Sequence, residues 1–247
     1  KDIIALGFDR NLTYIFRNTD AIQWLYPSIL KIQKHLTFSQ VAATLGLTRS
    51  DSVGKAAFPA LQAAPAFCTS FPQKLFPTNN HQLSCLVPCA IDQDPFFRLA
   101  RDLAPRLGSP KPVLLHTRFL PALQGPSTKA SSSEGSSAIF LDDSPKEIKR
   151  KFNRLALSGG QDTAELQRTY GADLSRDMAY QYLRYFHPND TWISTVGEMY
   201  AKGDLLTGEV KIFAIKYFNE LLASFQQERK KVSDRDVAEF MALRSIG

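Results

Sequence analysis

The chain has 247 residues, a formal net charge of +6 and 44% hydrophobic residues, a length suited to one large or two modest domains with real apolar cores. No run of eighteen apolar residues offers a transmembrane helix, and the opening residues lack the basic, apolar and small-residue pattern of a secretory leader. Three cysteines, Cys68, Cys85 and Cys89, exclude a disulfide framework and make a reduced, intracellular setting the default, while the basic balance suits a polyanion partner such as RNA.

Residues 2–6 read as the tail of a helix, with Gly7 suited to the left-handed position after it. A domain seldom starts on half a helix, so further sequence is expected ahead of Lys1. Residues 13–16, Thr-Tyr-Ile-Phe, read as a strand. Residues 21–110 mix helical periodicity with many prolines. Within them, residues 85–91 form a short apolar run, followed by Asp92-Gln93-Asp94. Pro95 then opens a helix carrying Phe96, Leu99, Leu103 and Leu107, with Asp94 placed to cap it. After Gly108, residues 113–115 read as another buried strand. Strands alternating with helices indicate an α/β parallel sheet. In such sheets ligands bind beyond the carboxyl ends of the strands, which puts Asp92 and Gln93 where a ligand would sit.

Residues 125–137 are small and polar and read as a flexible loop, on the plain view a linker. From Ser144 the pattern is helical. Ser144-Pro145-Lys146-Glu147 reads as a capping box with proline in the first turn, and Ile148, Phe152 and Leu155 then share a face. Helices follow near 163–170, 175–186 and 192–202. The longest starts at about Thr207, with Val210, Phe213, Ala214, Tyr217, Leu221 and Phe225 at helical spacing. Ser233 caps a last helix with Val237, Phe240 and Met241 inside.

Several motifs fail. Gly54-Lys55 is no P-loop, because Arg49 and Ala56 stand where glycine and serine or threonine are needed. H-E-x-x-H and G-x-S-x-G are absent. Cys85 and Cys89 have no second pair at zinc-finger spacing and read as small residues of a buried strand. His35, His81, His116 and His187 are scattered and read as packing or surface residues. The basic set Lys146, Lys149, Arg150, Lys151 and Arg154 is equally a solvated face or a phosphate-contacting one.

Residues 129–133, Lys-Ala-Ser-Ser-Ser, resemble the K-M-S-x-S signature of class I aminoacyl-tRNA synthetases. The flanking Pro121-Ala122-Leu123-Gln124-Gly125 and Ile139-Phe140-Leu141 narrow the match. So do Phe58-Pro59-Ala60-Leu61-Gln62-Ala63-Ala64-Pro65, Pro88-Cys89-Ala90-Ile91-Asp92-Gln93-Asp94-Pro95, Leu157-Ser158-Gly159-Gly160-Gln161-Asp162-Thr163 and Leu206-Thr207-Gly208-Glu209. In this order they are similar to the tryptophanyl-tRNA synthetases of the eukaryotic cytosol, nearly end to end.

The resemblance implies an α/β chain. Residues 1–141 would be the C-terminal part of a Rossmann-type catalytic domain, and 142–247 an all-α helical anticodon-binding domain. It implies a homodimer, without membrane attachment, that joins tryptophan to ATP, with Mg2+ assisting, and passes it to tRNA(Trp). Lys129, Ser131 and Ser133 would act on the phosphates, Ala90 and Asp92 on the ATP ribose, and Gln62 and Gln93 on the ammonium and carboxylate of tryptophan. Asp162, with Gln161 beside it, would face the anticodon. No metal ligand is implied. Two departures stand out: Ala130 replaces the loop methionine, and Gln161 replaces an arginine, so a planar cation has become a neutral amide. The H-x-G-H signature, which the resemblance puts ahead of Lys1, occurs nowhere in the 247 residues, so this polypeptide alone is expected not to make adenylate. Two alternatives stay open: a non-catalytic fragment that binds RNA or another partner, and the sister tyrosyl enzyme.

Overall fold

The structure is a computed structural model that describes residues 1–76 and 83–246; His81 lies outside the described residues. The chain divides into two compact units, one made of residues 7–118 and 233–247, the other of residues 1–6 and 119–232.

The first unit contains helices α2 (Asn18–His35), α3 (Phe38–Leu45), α4 (Val53–Ala63), α5 (Asp94–Leu103) and α11 (Asp234–Met241), with strands β1 (Leu86–Ala90) and β2 (Val113–Thr117). On α2, Ala21, Leu25, Ile29 and Ile32 recur every three or four residues, so they make one apolar stripe. That stripe is buried in one cluster with Ala60 and Ala63 of α4 and Ala100 and Leu103 of α5. The small alanines let α4 approach closely, which is why a helix interrupted in sequence by Pro59 still packs.

β1 and β2 pair in parallel, with Leu86 opposite Val113 and Ala90 opposite Thr117, as the alternation of strands and helices predicts. The strands are less buried than expected: Leu86 is 61%, Val113 51% and Leu115 54% exposed. In a strand successive side chains alternate faces, and in this two-stranded sheet one face stays open. Cys85 and Cys89, expected in a buried strand, are each half-buried.

Residues 13–16 are extended but form no strand. Their backbone is satisfied otherwise: the Ile15 N–H donates to the Phe240 carbonyl at 3.1 Å, and the Arg244 guanidinium donates to the Thr13 carbonyl at 2.6 Å. The partners are single groups at a helix end, so no ladder propagates.

The second unit contains α1 (Asp2–Ala5), the hairpin strands β3 (Pro121–Ala122) and β4 (Gly125–Lys129), and helices α6 (Pro145–Arg150), α7 (Ala164–Tyr170), α8 (Met178–Phe186), α9 (Asp190–Lys202) and α10 (Thr207–Lys231). Gly7, after α1, has φ +91°, the left-handed conformation its sequence position suggests. α6 continues as a wider π turn over Lys151–Leu155. Phe152 sits at the centre of the core, with the Tyr182 and Phe218 rings 6.1 and 5.4 Å away. Fully burying such a side chain stabilises the fold by about 1.5–3 kcal/mol.

Two local readings change. Ser144 caps α6 by accepting from the Glu147 N–H at 3.2 Å, but the reciprocal half of the box is missing because the Glu147 carboxylate accepts from Arg150 at 3.0 Å instead. On α10 the fully buried residues are Val210, Ala214, Phe218, Leu222 and Phe225. Val210, Ala214 and Phe225 are buried as expected, and Phe213 and Tyr217 pack partly buried against the same core, but Phe218 and Leu222 also point inward while Leu221 is left 38% exposed.

Candidate functional site

β1 ends at Ala90, and a single tight turn, Ile91–Gln93, leads into α5. That turn presents Asp92 and Gln93 beyond the carboxyl end of the strand, where a ligand of a parallel sheet is held. The Gln62 amide on α4 donates to the Gln93 carbonyl oxygen at 3.1 Å, and the Gln93 amide donates to the Asp92 carboxylate at 3.3 Å. The three side chains therefore form one directed chain of hydrogen bonds ending on a carboxylate. Each glutamine amide has two donors and an oxygen with two lone pairs, so Gln62 with one contact and Gln93 with two both keep capacity of both kinds. Gln62, Ala90 and Gln93 line a cavity of about 450 Å³ with Phe16, Pro88 and Phe97, a size within the range of small-molecule sites.

Asp94 does not cap α5 as expected. It is the first residue inside the helix, with Gln93 ahead of it, and its carboxylate pairs with Arg98 and stands 3.0 Å from His116 Nε2. His116, read from sequence as a packing or surface residue, is thus tied to this turn. Burial, followed by the charges of Asp94 and Asp92, pushes the Cys89 thiol up, which keeps it neutral beside the cavity. Cys85 pairs with Cys68, Sγ to Sγ 3.2 Å.

The segment expected to be a flexible linker is built instead. Gly125–Lys129 is strand β4, antiparallel to β3, with Lys129 opposite Pro121. The Lys129 ammonium stands 4.7 Å over the Phe119 ring, and the Ala130 N–H donates to the Leu120 carbonyl at 2.8 Å. The turn that follows is organised by Ser137, which is 1% exposed. Its hydroxyl oxygen accepts from the Ser131 N–H at 3.0 Å, and its hydroxyl reaches the carbonyls of Ser131 and Glu134 at 2.9 and 2.8 Å. Ser131 and Ser133 bring their hydroxyls within 2.8 Å of each other. Ser131 and Ser133 therefore lie on the turn that directly follows the strand end bearing Lys129. Ser137 was missed because a serine in a serine-rich run carries no local sign of burial.

Gln161 and Asp162 are both exposed, on the short connection between the π turn and α7. The Gln161 amide donates to the Gly171 carbonyl at 3.2 Å, and Thr163 caps α7 by accepting from the Leu166 N–H at 3.2 Å. The basic helix divides. Lys151 is 2% exposed and bonds both oxygens of Asp143 at 2.9 and 2.6 Å, so it belongs to the core. Lys146, Lys149, Arg150 and Arg154 are exposed.

Residues 7–223 match the family described as tRNA synthetases class I (W and Y). The chain belongs to that family. The human cytoplasmic tryptophan–tRNA ligase is 48% identical over the whole of this synthetase chain, which covers 52% of the human protein. The Dictyostelium discoideum cytoplasmic tryptophan–tRNA ligase is 43% identical, with 62% of it covered. The chain thus spans about half the length of the mammalian relatives it matches. Among solved structures, a tryptophanyl-tRNA synthetase from Giardia lamblia superposes with a TM-score of 0.88 at 40% identity over 98% of this chain and 65% of that one. That of Plasmodium falciparum gives 0.85 at 40% identity, over 98% and 63%. The fold is accordingly the class I synthetase fold, α/β with a helical C-terminal part. No helix among the described residues is long and apolar enough to cross a membrane.

Proposed function

We propose that this synthetase chain works in a tryptophan–tRNA ligase of the eukaryotic cytoplasmic kind, a homodimer, with residues 1–141 in catalysis and 142–247 in anticodon recognition. The substrates are tryptophan, ATP entering as its Mg2+ complex, and tRNA(Trp). The observation that carries the reading is the Gln62–Gln93–Asp92 chain of hydrogen bonds beyond β1, in a family for tryptophan and tyrosine. The tryptophan carboxylate attacks the α-phosphorus of ATP, the new P–O bond makes tryptophanyl-adenylate, and pyrophosphate leaves. The tRNA's terminal ribose hydroxyl then takes the tryptophanyl group and releases AMP. Neither step needs a protein nucleophile, so catalysis is positioning and charge stabilisation.

Each assigned residue has a chemistry that fits. Gln62 and Gln93 offer acceptors to an ammonium and donors to a carboxylate. Asp92, with the Ala90 backbone, suits the hydroxyls of a ribose. Lys129 supplies a cation to the departing pyrophosphate, and Ser131 and Ser133 supply hydroxyl donors to its oxygens. Asp162 is a carboxylate able to accept from a base amino group, with Gln161 beside it as a neutral amide. The exposed Lys146, Lys149, Arg150 and Arg154 suit RNA phosphates. The relatives that align over the full chain are named for tryptophan, which favours tryptophan over tyrosine.

The test is charging of tRNA(Trp) by the protein at its natural length, with tryptophan and with tyrosine. Charging with tryptophan alone is the expected result; preference for tyrosine, or charging with neither, sinks the reading. The 247-residue chain by itself, which has no H-x-G-H sequence, is expected to show no tryptophan-dependent ATP–pyrophosphate exchange.

A further inference from the structure

The most enclosed polar group in the helical unit is Asp177, which is 0% exposed. One oxygen accepts from the Tyr180 N–H at 2.9 Å and so caps α8. The other accepts from the Gly159 N–H at 3.0 Å and from the Tyr200 hydroxyl at 2.8 Å. The network runs on: the Tyr200 hydroxyl is 2.9 Å from Thr207 Oγ1, Thr207 donates to Gln167 Oε1 at 3.0 Å, and the Gln167 amide donates to the Leu205 carbonyl at 3.1 Å. A cap alone requires only the first of these bonds.

The network borders Gly159 and Gly160, the two residues just before Gln161 and Asp162: Asp177 takes the Gly159 N–H, and the Thr207 and Gln167 side chains pack against Gly160. The Gly159 carbonyl accepts from the Asp173 N–H at 2.8 Å, and the Gly160 N–H donates to Ser158 Oγ at 3.2 Å. The fit has no slack. A Cβ on Gly159 would lie 2.0 Å from the Asp173 carbonyl oxygen, and one on Gly160 would lie 2.1 Å from Thr207 Oγ1 and 2.6 Å from Gln167 Oε1. An exposed carboxylate reads a base only if its own backbone is held within a fraction of an ångström, and Asp162 has its fixed point two and three residues upstream, on Asp177 and Thr207.

We infer that Asp177, through Tyr200 and Thr207, is a positioning residue for anticodon reading: it fixes the Gly159–Gly160 backbone and thereby aims Gln161 and Asp162 at the RNA. This rests on the assignment of Asp162 to the anticodon. Asp177 itself is sealed from any ligand, so its effect is on selectivity between RNAs and not on contact with them.

Asp177→Asn separates this role from the cap. Asparagine caps helices as well as aspartate does, so its oxygen keeps the Tyr180 N–H, while its NH2 group replaces the acceptor of the Gly159 N–H. Tyr200→Phe removes the hydroxyl alone. Val210→Ala, a fully buried residue of the same unit, is the control that loosens the core without touching the network. The measurement is kcat/KM for charging tRNA(Trp) against the same RNA with one anticodon base replaced, using the protein at its natural length, with thermal unfolding of each variant. In Asp177→Asn the preference for the natural anticodon is expected to fall about tenfold, the equivalent of one hydrogen bond to a charged group, and in Tyr200→Phe by less. In Val210→Ala it stays at the wild-type ratio despite lower stability. If Asp177→Asn and Tyr200→Phe keep the wild-type preference, the network only holds the fold and the inference is overturned. Should Asp177→Asn fail to fold, Tyr200→Phe decides. A wild-type protein that does not prefer the natural anticodon refutes the assignment of Asp162 itself, a separate failure visible before any variant is made.

Discussion

Removing Lys151 should destabilise the helical unit far more than removing any exposed lysine, and removing its partner as well should restore much of the loss. The Lys151 and Asp143 side chains are 3% and 10% exposed, with Nζ 2.6 Å from the nearer oxygen. At that separation the attraction is about 6 kcal/mol for an effective dielectric of about 20, set against a desolvation cost of several kcal/mol for each ion. The net value of the intact pair is therefore small. Broken, it is not: Lys151→Met leaves Asp143 enclosed, with the Phe140 N–H at 2.8 Å as a remaining donor, and such changes cost about 3–5 kcal/mol. Lys151→Met with Asp143→Leu leaves no buried charge and should be more stable than either single variant. Urea unfolding followed by Trp192 fluorescence, in a Trp24→Phe background, reports on this unit alone, because these are the only two tryptophans. A loss below about 1 kcal/mol for Lys151→Met, or a double variant as unstable as the sum of the singles, would refute the argument.

Gly171→Ala should prevent stable folding of the same unit, because Gly171 has φ +69° and a Cβ there would lie 1.7 Å from the Ala201 carbonyl oxygen; a melting temperature within a few degrees of wild type contradicts this. Lys129→Ala, at an exposed position and made in the protein at its natural length, should cost no more stability than the roughly 1 kcal/mol of an exposed cation–π contact and slow tryptophan-dependent ATP–pyrophosphate exchange by about a hundredfold or more, the scale of losing one transition-state charge partner; unchanged exchange would remove Lys129 from the chemistry. Burial, then the contact with Cys68, pushes the Cys85 thiol up from 9.0 to about 12. The shift favours the neutral thiol, so its contribution to stability is whole below pH 9.0 and fades as the pH rises towards about 12. Alkylation of Cys85, followed by peptide mass spectrometry, should then keep rising about tenfold per pH unit between roughly pH 8 and 10, and a plateau near pH 9 would show an ordinary thiol.

What the sequence made legible was local periodicity and local chemistry. The α10 pattern is long enough for its 3.6-residue repeat to show, and the order strand, turn, helix, strand around Asp92 needs only short-range signals. The failures come where a partner distant in sequence decides. Residues 13–16 have strand composition but meet Phe240 and Arg244. Asp94 has the right place for a cap, yet His116 and Arg98 take its carboxylate. Glu147 has the right spacing for a capping box, yet Arg150 holds it.

The site follows the same division. Lys129, Ser131 and Ser133 could be picked out because Lys-Ala-Ser-Ser-Ser resembles the K-M-S-x-S signature, a short motif read in one order along the chain. Ser137 and Asp177 could not, because what they do is set by how far each is from solvent and by which backbone groups reach it. Asp177 collects the Gly159 N–H from 18 residues upstream and the Tyr200 hydroxyl from 23 downstream. No window short enough to show a local motif contains all three. Residues that touch substrate are constrained by chemistry, which motifs record. Residues that hold those residues still are constrained by geometry, which leaves only indirect marks such as the Gly159–Gly160 pair. A glycine pair followed by polar residues is therefore the sign to look for: it says that something packs against the backbone, and the structure says that here it is the Asp173 carbonyl against Gly159 and the Thr207 and Gln167 side chains against Gly160.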